Sequence, residues 1–279
     1  MIHVVNNVCG LAAHQLYERQ VQLLGKTKKT YPVEFLHYSF GEPETLPESI
    51  REREKVEGFS YLSKFYALRE AIERTGANRF LWVDATIWLK EGWDSVVSSY
   101  FEQDGLFLIN QGCAKEWTSD RFLSLVSKNR EDFNIDLVTG GVFGFDLDHE
   151  NGRAFWDKIC EYMEVEDMWF GPCGMPHKME QIGTPELSLD PNVKGHRHDQ
   201  CVMGWVAHQL DLPFAQDGCK GPHFYSQSYL HDYYVEWKKH TDQYGLGTEI
   251  FPAKKVTFPK NAAMTHHPTR YHFNNTIPR

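Results

Sequence analysis

Apolar positions along the first eighty residues fall into two rhythms. Ile2 to Val5 and Val33-Glu34-Phe35-Leu36-His37-Tyr38 are short, apolar-rich runs and predict strands. Between Ala12 and Leu24, the residues Leu16, Val21, Leu23 and Leu24 recur as on one face of a helix that ends at Gly25. From Phe59 to Arg74, the set Phe59, Leu62, Phe65, Tyr66, Leu68 and Ile72 returns at roughly helical spacing, with Lys64 and Arg69 among it. The Pro- and Glu-rich piece from Gly41 to Glu54 lacks such a rhythm and predicts a loop carrying a charge run.

The run Phe80-Leu81-Trp82-Val83 is uniformly apolar and follows the breakers Gly76 and Asn78, as expected of an interior strand covered on both faces. Asp84 ends it. A carboxylate among apolar neighbours costs free energy unless a cation or hydrogen-bond donor meets it, and ligands of open α/β sheets collect at the carboxyl edge of the strands. Two readings of Asp84 follow: a carboxylate facing a ligand, or one that caps the next turn by accepting from the N–H of Thr86 or Ile87.

Strand and helix signals keep alternating downstream, which indicates an α/β sheet. Trp93 to Phe101 predicts a helix, Gly105 to Asn110 a strand, and Ser119 to Lys128 a helix with Phe122, Leu123 and Leu125 apolar. Leu137 to Phe145 reads as a strand interrupted by Gly140 and Gly141, and Gly152 to Met163 as the next helix. The glycine pair marks either a place where a side chain would obstruct a ligand or a β-bulge packed on a helix. Asp199 to Leu210 predicts a last helix, with Asp199 also suited to a plain N-cap. Segments 171–176 and 183–198 are rich in Gly, Pro and polar residues, as in a long functional loop. The expected organisation is one domain, with a core over 1–215 and a loop-rich C-terminal extension over 216–279.

Composition narrows the chemistry. The 279 residues carry 29 basic against 38 acidic side chains, a net charge of −9, which argues against a broad phosphate-tracking surface and makes nucleic acid a poor partner. Aromatic residues reach 14%, supplying flat surfaces for packing or for stacking on sugar rings. The six cysteines form no C-x-x-C pair, so neither a zinc ribbon nor a redox motif is signalled. No eighteen-residue apolar run occurs and Met1 to Asn7 has no basic leader, so the expected location is the cytoplasm without a membrane span. Phosphate-loop, nucleophile-elbow, H-E-x-x-H and G-x-G-x-x-G motifs are all missing, and Asn7-Val8-Cys9-Gly10 is the only early turn placed to touch a nucleotide.

Three segments in this order, Phe80 to Trp88, Thr139 to Phe145 and His198-Asp199-Gln200, resemble the glycosyltransferases of the GT-A fold. The resemblance implies a Rossmann-like, mixed but mostly parallel sheet flanked by helices. It further implies a nucleotide-sugar donor whose sugar passes to the hydroxyl of a glycan, protein or small-molecule acceptor. The family's D-x-D motif corresponds to Asp84-Ala85-Thr86, with a hydroxyl where the second carboxylate would stand. A divalent Mn or Mg ion is the implied cofactor, with Asp84 and His267 as its ligands, the latter from the late run Thr265 to His272. Donor contacts are assigned to Asp84, Thr86, Lys64, Gly140, Gly141 and Gln200, and the role of base or sugar contact to Asp199.

Glycosyl transfer needs negative charge on the departing diphosphate stabilised and, with inversion, a proton taken from the acceptor hydroxyl. Lys64 and Arg69 are the cations read for the first need and Asp199 the carboxylate for the second. His196-Arg197-His198, hinged at Gly195, would close as a lid over phosphate. A nucleotidyltransferase on a similar sheet and a non-enzymatic carbohydrate-binding protein are the competing readings.

Overall fold

The computed structural model describes residues 1–7, 33–38, 43–57, 60–84, 87–89, 93–172, 185–215 and 264–266. The helix expected over 12–24, the turn after Asn7 and most of the chain beyond 215 lie outside them. The strands are β1 (Ile2–Asn7), β2 (Val33–Tyr38), β3 (Arg79–Val83), β4 (Ile87–Leu89), β5 (Leu106–Phe107), β6 (Asn110–Cys113), β7 (Asp136–Val138), β8 (Val142–Asp146) and β9 (Met264–His266). The helices are α1 (Glu48–Glu57), α2 (Ser63–Thr75), α3 (Trp93–Asp104), α4 (Asp120–Leu125), α5 (Glu150–Met163) and α6 (His198–Gln209).

Five strands make the central sheet in the order β2-β1-β3-β8-β5. Strand β1 pairs parallel with β2 and β3, whereas β8 runs antiparallel to both β3 and β5. Four strands therefore share one direction and β8 opposes them. The period of two along β3 sends Phe80 and Trp82 to one face and Leu81 and Val83 to the other. On the first face they meet Phe65 and Leu68 of α2, Phe155 and Ile159 of α5 and Met203 of α6; on the second, Trp93, Val97 and Phe101 of α3. Both faces are covered, as the uninterrupted apolar run requires.

The opposed direction of β8 sets where the site forms. Val83 pairs with Val142, so the carboxyl end of β3 meets the amino end of β8, and Asp84 N donates to Gly141 O at 2.8 Å. Gly140 and Gly141 thus link two strands instead of interrupting one. Ahead of them β7 leaves the main sheet, pairs with β6 and lies under α6.

The charged stretch after Gly41 also departs from expectation. Glu48–Glu57 is a helix with one buried residue, Ile50. Seven of its other nine side chains are Glu, Arg or Lys, good helix formers joined by Arg51–Glu48, Arg53–Glu57 and Lys55–Glu52 pairs at three- and four-residue spacing, so it needs no apolar stripe to persist against the body.

Beyond Asp84, β4 pairs antiparallel with β9, Ile87 opposite His266 and Leu89 opposite Met264. The late chain thus returns to within three residues of Asp84. No described helix is long and apolar enough to cross a membrane.

Candidate functional site: the Asp84–Lys64–Asp199 cluster

Three charged side chains from three elements converge at the carboxyl edge of β3. Lys64, in the first turn of α2, is 5% exposed, and Asp199, in the first turn of α6, is 3% exposed. The Lys64 ammonium donates to Asp199 Oδ2 at 2.8 Å and to Gly140 O at 2.6 Å, and stands 3.3 Å from Asp84 Oδ1. A lysine has three N–H donors, and three acceptors surround this one. Its ammonium also lies 5.0 Å from the Tyr61 ring centroid and 5.7 Å from that of Trp82. A cation in the first turn opposes the helix dipole, whereas a carboxylate there is favoured, so α6 supports Asp199 and the two carboxylates hold Lys64 against α2.

Gly140 carries no side chain because Asp199 fills that space. A Cβ there would collide with Asp199 Oδ2 and reach Cγ at 3.1 Å. The residue brings its carbonyl to Lys64 and its bare α-carbon to the carboxylate, which is the close backbone approach for which glycine is suited. No side-chain cap is made at the start of α6, where Arg197 is the N-cap residue. Asp199 therefore spends its carboxylate on Lys64 instead of on its own helix.

Backbone outliers border the cluster. Tyr61 and His198 are non-glycine residues with positive φ, +63° and +34°, and their rings approach at 5.5 Å. One lies three residues before Lys64 and the other immediately before Asp199. Such conformations persist only where surroundings enforce them; here His198 Nδ1 is 2.9 Å from Trp169 O.

The sequence placed Lys64, Asp84, Gly140, Gly141 and Asp199 in one site, and these five are together. Gln200 follows Asp199 on α6, buried, with no hydrogen-bond partner on Oε1 among the described residues. Thr86 and His267 lie outside the described residues. Arg69 does not join: its guanidinium lies 5.1 Å from the Tyr66 ring centroid and 3.7 Å from Glu164.

The segment expected as a lid is inside the protein. His196 is fully buried against Phe122, with Nε2 3.3 Å from Met168 O, and burial, reinforced by the charge of His198, pushes its pKa down to about 3. Arg197 stacks its guanidinium 4.2 Å from the centroid of the Trp117 ring. A lid over phosphate needs these cationic side chains on the ligand side, and packing has turned both imidazoles to carbonyls and rings.

Sequence reading missed Trp82 and Tyr61 as members of the site, and took His198 only as the start of the last helix and part of a lid. The signal for Trp82 was parity: it stands two residues before Asp84 in an extended run, and its Nε1 donates to Asp84 Oδ1 at 2.8 Å. Nothing in the sequence marked the positive φ of the other two.

Among the described residues no group of three or more His, Cys, Asp or Glu side chains could hold a metal ion. The two carboxylates of the cluster do not fit a divalent ion held between them, because the Lys64 ammonium occupies the position that such an ion would take.

No protein-family profile matches the sequence, and no curated protein does. Among solved structures, mouse xyloside xylosyltransferase 1 aligns over 100% of both chains at 11% identity, with a TM-score of 0.47. The glycosyltransferase GlyE of Streptococcus pneumoniae TIGR4 aligns over 96% of this chain and 55% of its own at 10% identity, TM-score 0.44. A galactosyltransferase, LgtC, in complex with donor and acceptor sugar analogues, aligns over 91% of this chain and 98% of its own at 11% identity, TM-score 0.33. Likeness at that identity and degree of superposition assigns this chain no activity.

Proposed function

We propose that this chain transfers a sugar from a nucleotide-sugar donor to an acceptor hydroxyl on a GT-A-like fold. The observation that carries the reading is the Asp84–Lys64–Asp199 cluster at the carboxyl edge of β3, beside the Gly140–Gly141 link. Among the described residues, two carboxylates face one ammonium in the cluster. That balance suits the hydroxyl hydrogens of a sugar and disfavours phosphate, so Lys64 holds the carboxylates in place instead of gripping the diphosphate. Asp199 Oδ2 is taken by Lys64, and among the described residues no donor reaches its Oδ1. Oδ1 is the oxygen assigned to a sugar hydroxyl or to the acceptor's proton, and Gln200, the following residue, is assigned as a donor contact.

The diphosphate is left to groups outside this cluster. The pairing of β4 with β9 brings residues 264–266 alongside 87–89, which agrees with a C-terminal extension that closes the site from residue 216 onward. No step is assigned to a divalent ion. A metal at Asp84 would draw its other ligands from beyond the cluster, Thr86 and His267 being those that the resemblance implies.

The test is a thermal-shift series with UDP-, GDP-, CMP- and dTDP-linked sugars, each with Mn²⁺, Mg²⁺ or EDTA, followed by detection of sugar release or transfer. Ligand bound to the folded state adds about 2.7 kcal/mol of stability at one hundred times Kd and so raises the melting midpoint. One donor class that raises the midpoint and is consumed supports the reading, and its response to EDTA decides the metal. Stabilisation by free glycans with no response to any nucleotide sugar overturns it in favour of a carbohydrate-binding protein.

A further inference from the structure

We propose that Trp82 is a positioning residue for Asp84, its indole N–H fixing the direction in which that carboxylate meets a ligand. The inference rests on the glycosyl-transfer reading only for the identity of that ligand. Trp82 lies on β3 and Asp84 directly follows the strand's last residue, two positions on, where an extended backbone returns the side chain to the Trp82 side. Its Nε1 donates to Asp84 Oδ1 at 2.8 Å, while Lys64 stands 3.3 Å from the same oxygen. The backbone N–H of Asp84 is separately held by Gly141 O at 2.8 Å.

The indole is itself immobilised. Trp82 is 2% exposed, stacks on Phe143 with 6.4 Å between centroids and 21° between planes, and has the Lys64 ammonium 5.7 Å from its ring centroid. A rigid donor aimed at one carboxylate oxygen restricts rotation of the Asp84 side chain, and a hydrogen bond to an ionised acceptor away from water is among the stronger kinds. A leucine or phenylalanine at this position would serve the core as well, but would leave Asp84 one donor short. The indole has no acceptor role, so its N–H has a single use here.

The test uses the full chain with Trp82→Phe, Asp84→Ala and the double variant. The sequence has eight tryptophans, and 15N spectra resolve their indole N–H groups one by one; that of Trp82 is assigned by through-bond correlation, so the Asp84→Ala arm stands even where Trp82→Phe fails to fold. In Asp84→Ala the Trp82 signal is expected to shift and to exchange its hydrogen faster. An unmoved signal overturns the proposal. With UDP-xylose and UDP-galactose as probes, Trp82→Phe is expected to raise Kd roughly tenfold in the wild-type background and to have no effect in the Asp84→Ala background. Equal effects in both backgrounds mark a packing role and overturn the proposal. If the wild type binds no nucleotide sugar, the transferase reading fails, and the indole spectrum of Asp84→Ala still decides whether Trp82 holds Asp84.

Discussion

Lys64 meets three acceptors at 2.6, 2.8 and 3.3 Å while lying in a helical first turn where a cation is disfavoured. Its removal and the removal of one partner are therefore unequal. Lys64→Met removes the cation shared by buried Asp199 and half-buried Asp84 and is expected to cost about 3–5 kcal/mol in urea unfolding. Asp199→Asn keeps an acceptor for Lys64 and leaves it matched with Asp84, so its cost is expected to be smaller. The reverse order would mean that the ion pairs do not govern this site. Gly140→Ala tests the same geometry sterically: the added methyl collides with Asp199 Oδ2, and a loss of about 1–3 kcal/mol together with weakened donor binding is expected in parallel melts and titrations. The residue types were legible in the sequence for this cluster, and their roles only partly. Lys64 read as a phosphate cation because its two carboxylate partners lie 20 and 135 positions away, beyond the reach of any spacing rule.

Of the elements the apolar pattern marked, β1, β2, α3, α5 and α6 lie within a few residues of the expected runs. Those that rest on other physics do not. α1 is held by charge pairs instead of an apolar stripe, and the Leu137–Phe145 run splits because β7 is drawn to β6 and α6 while β8 joins the main sheet. The helix–strand contact behind that split has its own marker. Gly204 of α6 faces β7 so closely that a Cβ would overlap the carbonyl oxygen of Asp136. Gly204→Ala is expected to destabilise the protein by about 1–3 kcal/mol, although alanine is the better helix former by about 1 kcal/mol. Equilibrium unfolding gives the sign: a net gain in stability would show that α6 is free to back away from β7. Ten of the twelve residues of α6 are buried, which explains why its sequence gives little sidedness.

Across the whole molecule, burial converts the histidine beside the site into a source of acid sensitivity. His196 has a pKa of about 3 in the fold, lowered chiefly by burial, against 6.5 when unperturbed. The unfolded chain then binds a proton that the folded one refuses. Its contribution is at its most favourable above pH 6.5, declines as pH falls from there, and levels off near pH 3. Within that window the slope attributable to His196 approaches about 1.4 kcal/mol per pH unit. His196→Phe is expected to flatten stability between pH 6 and 4 in denaturant titrations, and an unchanged slope would assign the acid response to other groups. The thiols divide on the same principle. Cys201, pushed up to about 12 by burial, is expected to resist alkylation in the native protein, while exposed Cys113 reacts at once, as peptide mapping by mass spectrometry would record.

The sequence by itself determined the α/β alternation, the buried strand ending at Asp84, a glycine pair at Gly140 and Gly141 that breaks the strand run, and an acidic residue at the start of the last described helix. Each follows from local rules: a period of two or of 3.6, a charge interrupting an apolar run, a residue without a Cβ. Tertiary structure alone decided that β8 runs against its neighbours, so that its first residues and the end of β3 share one edge. It alone decided that Lys64 joins two carboxylates, that Trp82 turns its N–H to Asp84, and that His196 faces inward. Strand direction and long-range charge pairing leave no periodic trace in a chain, because they are set by which surfaces must be buried together and which charges must then be met.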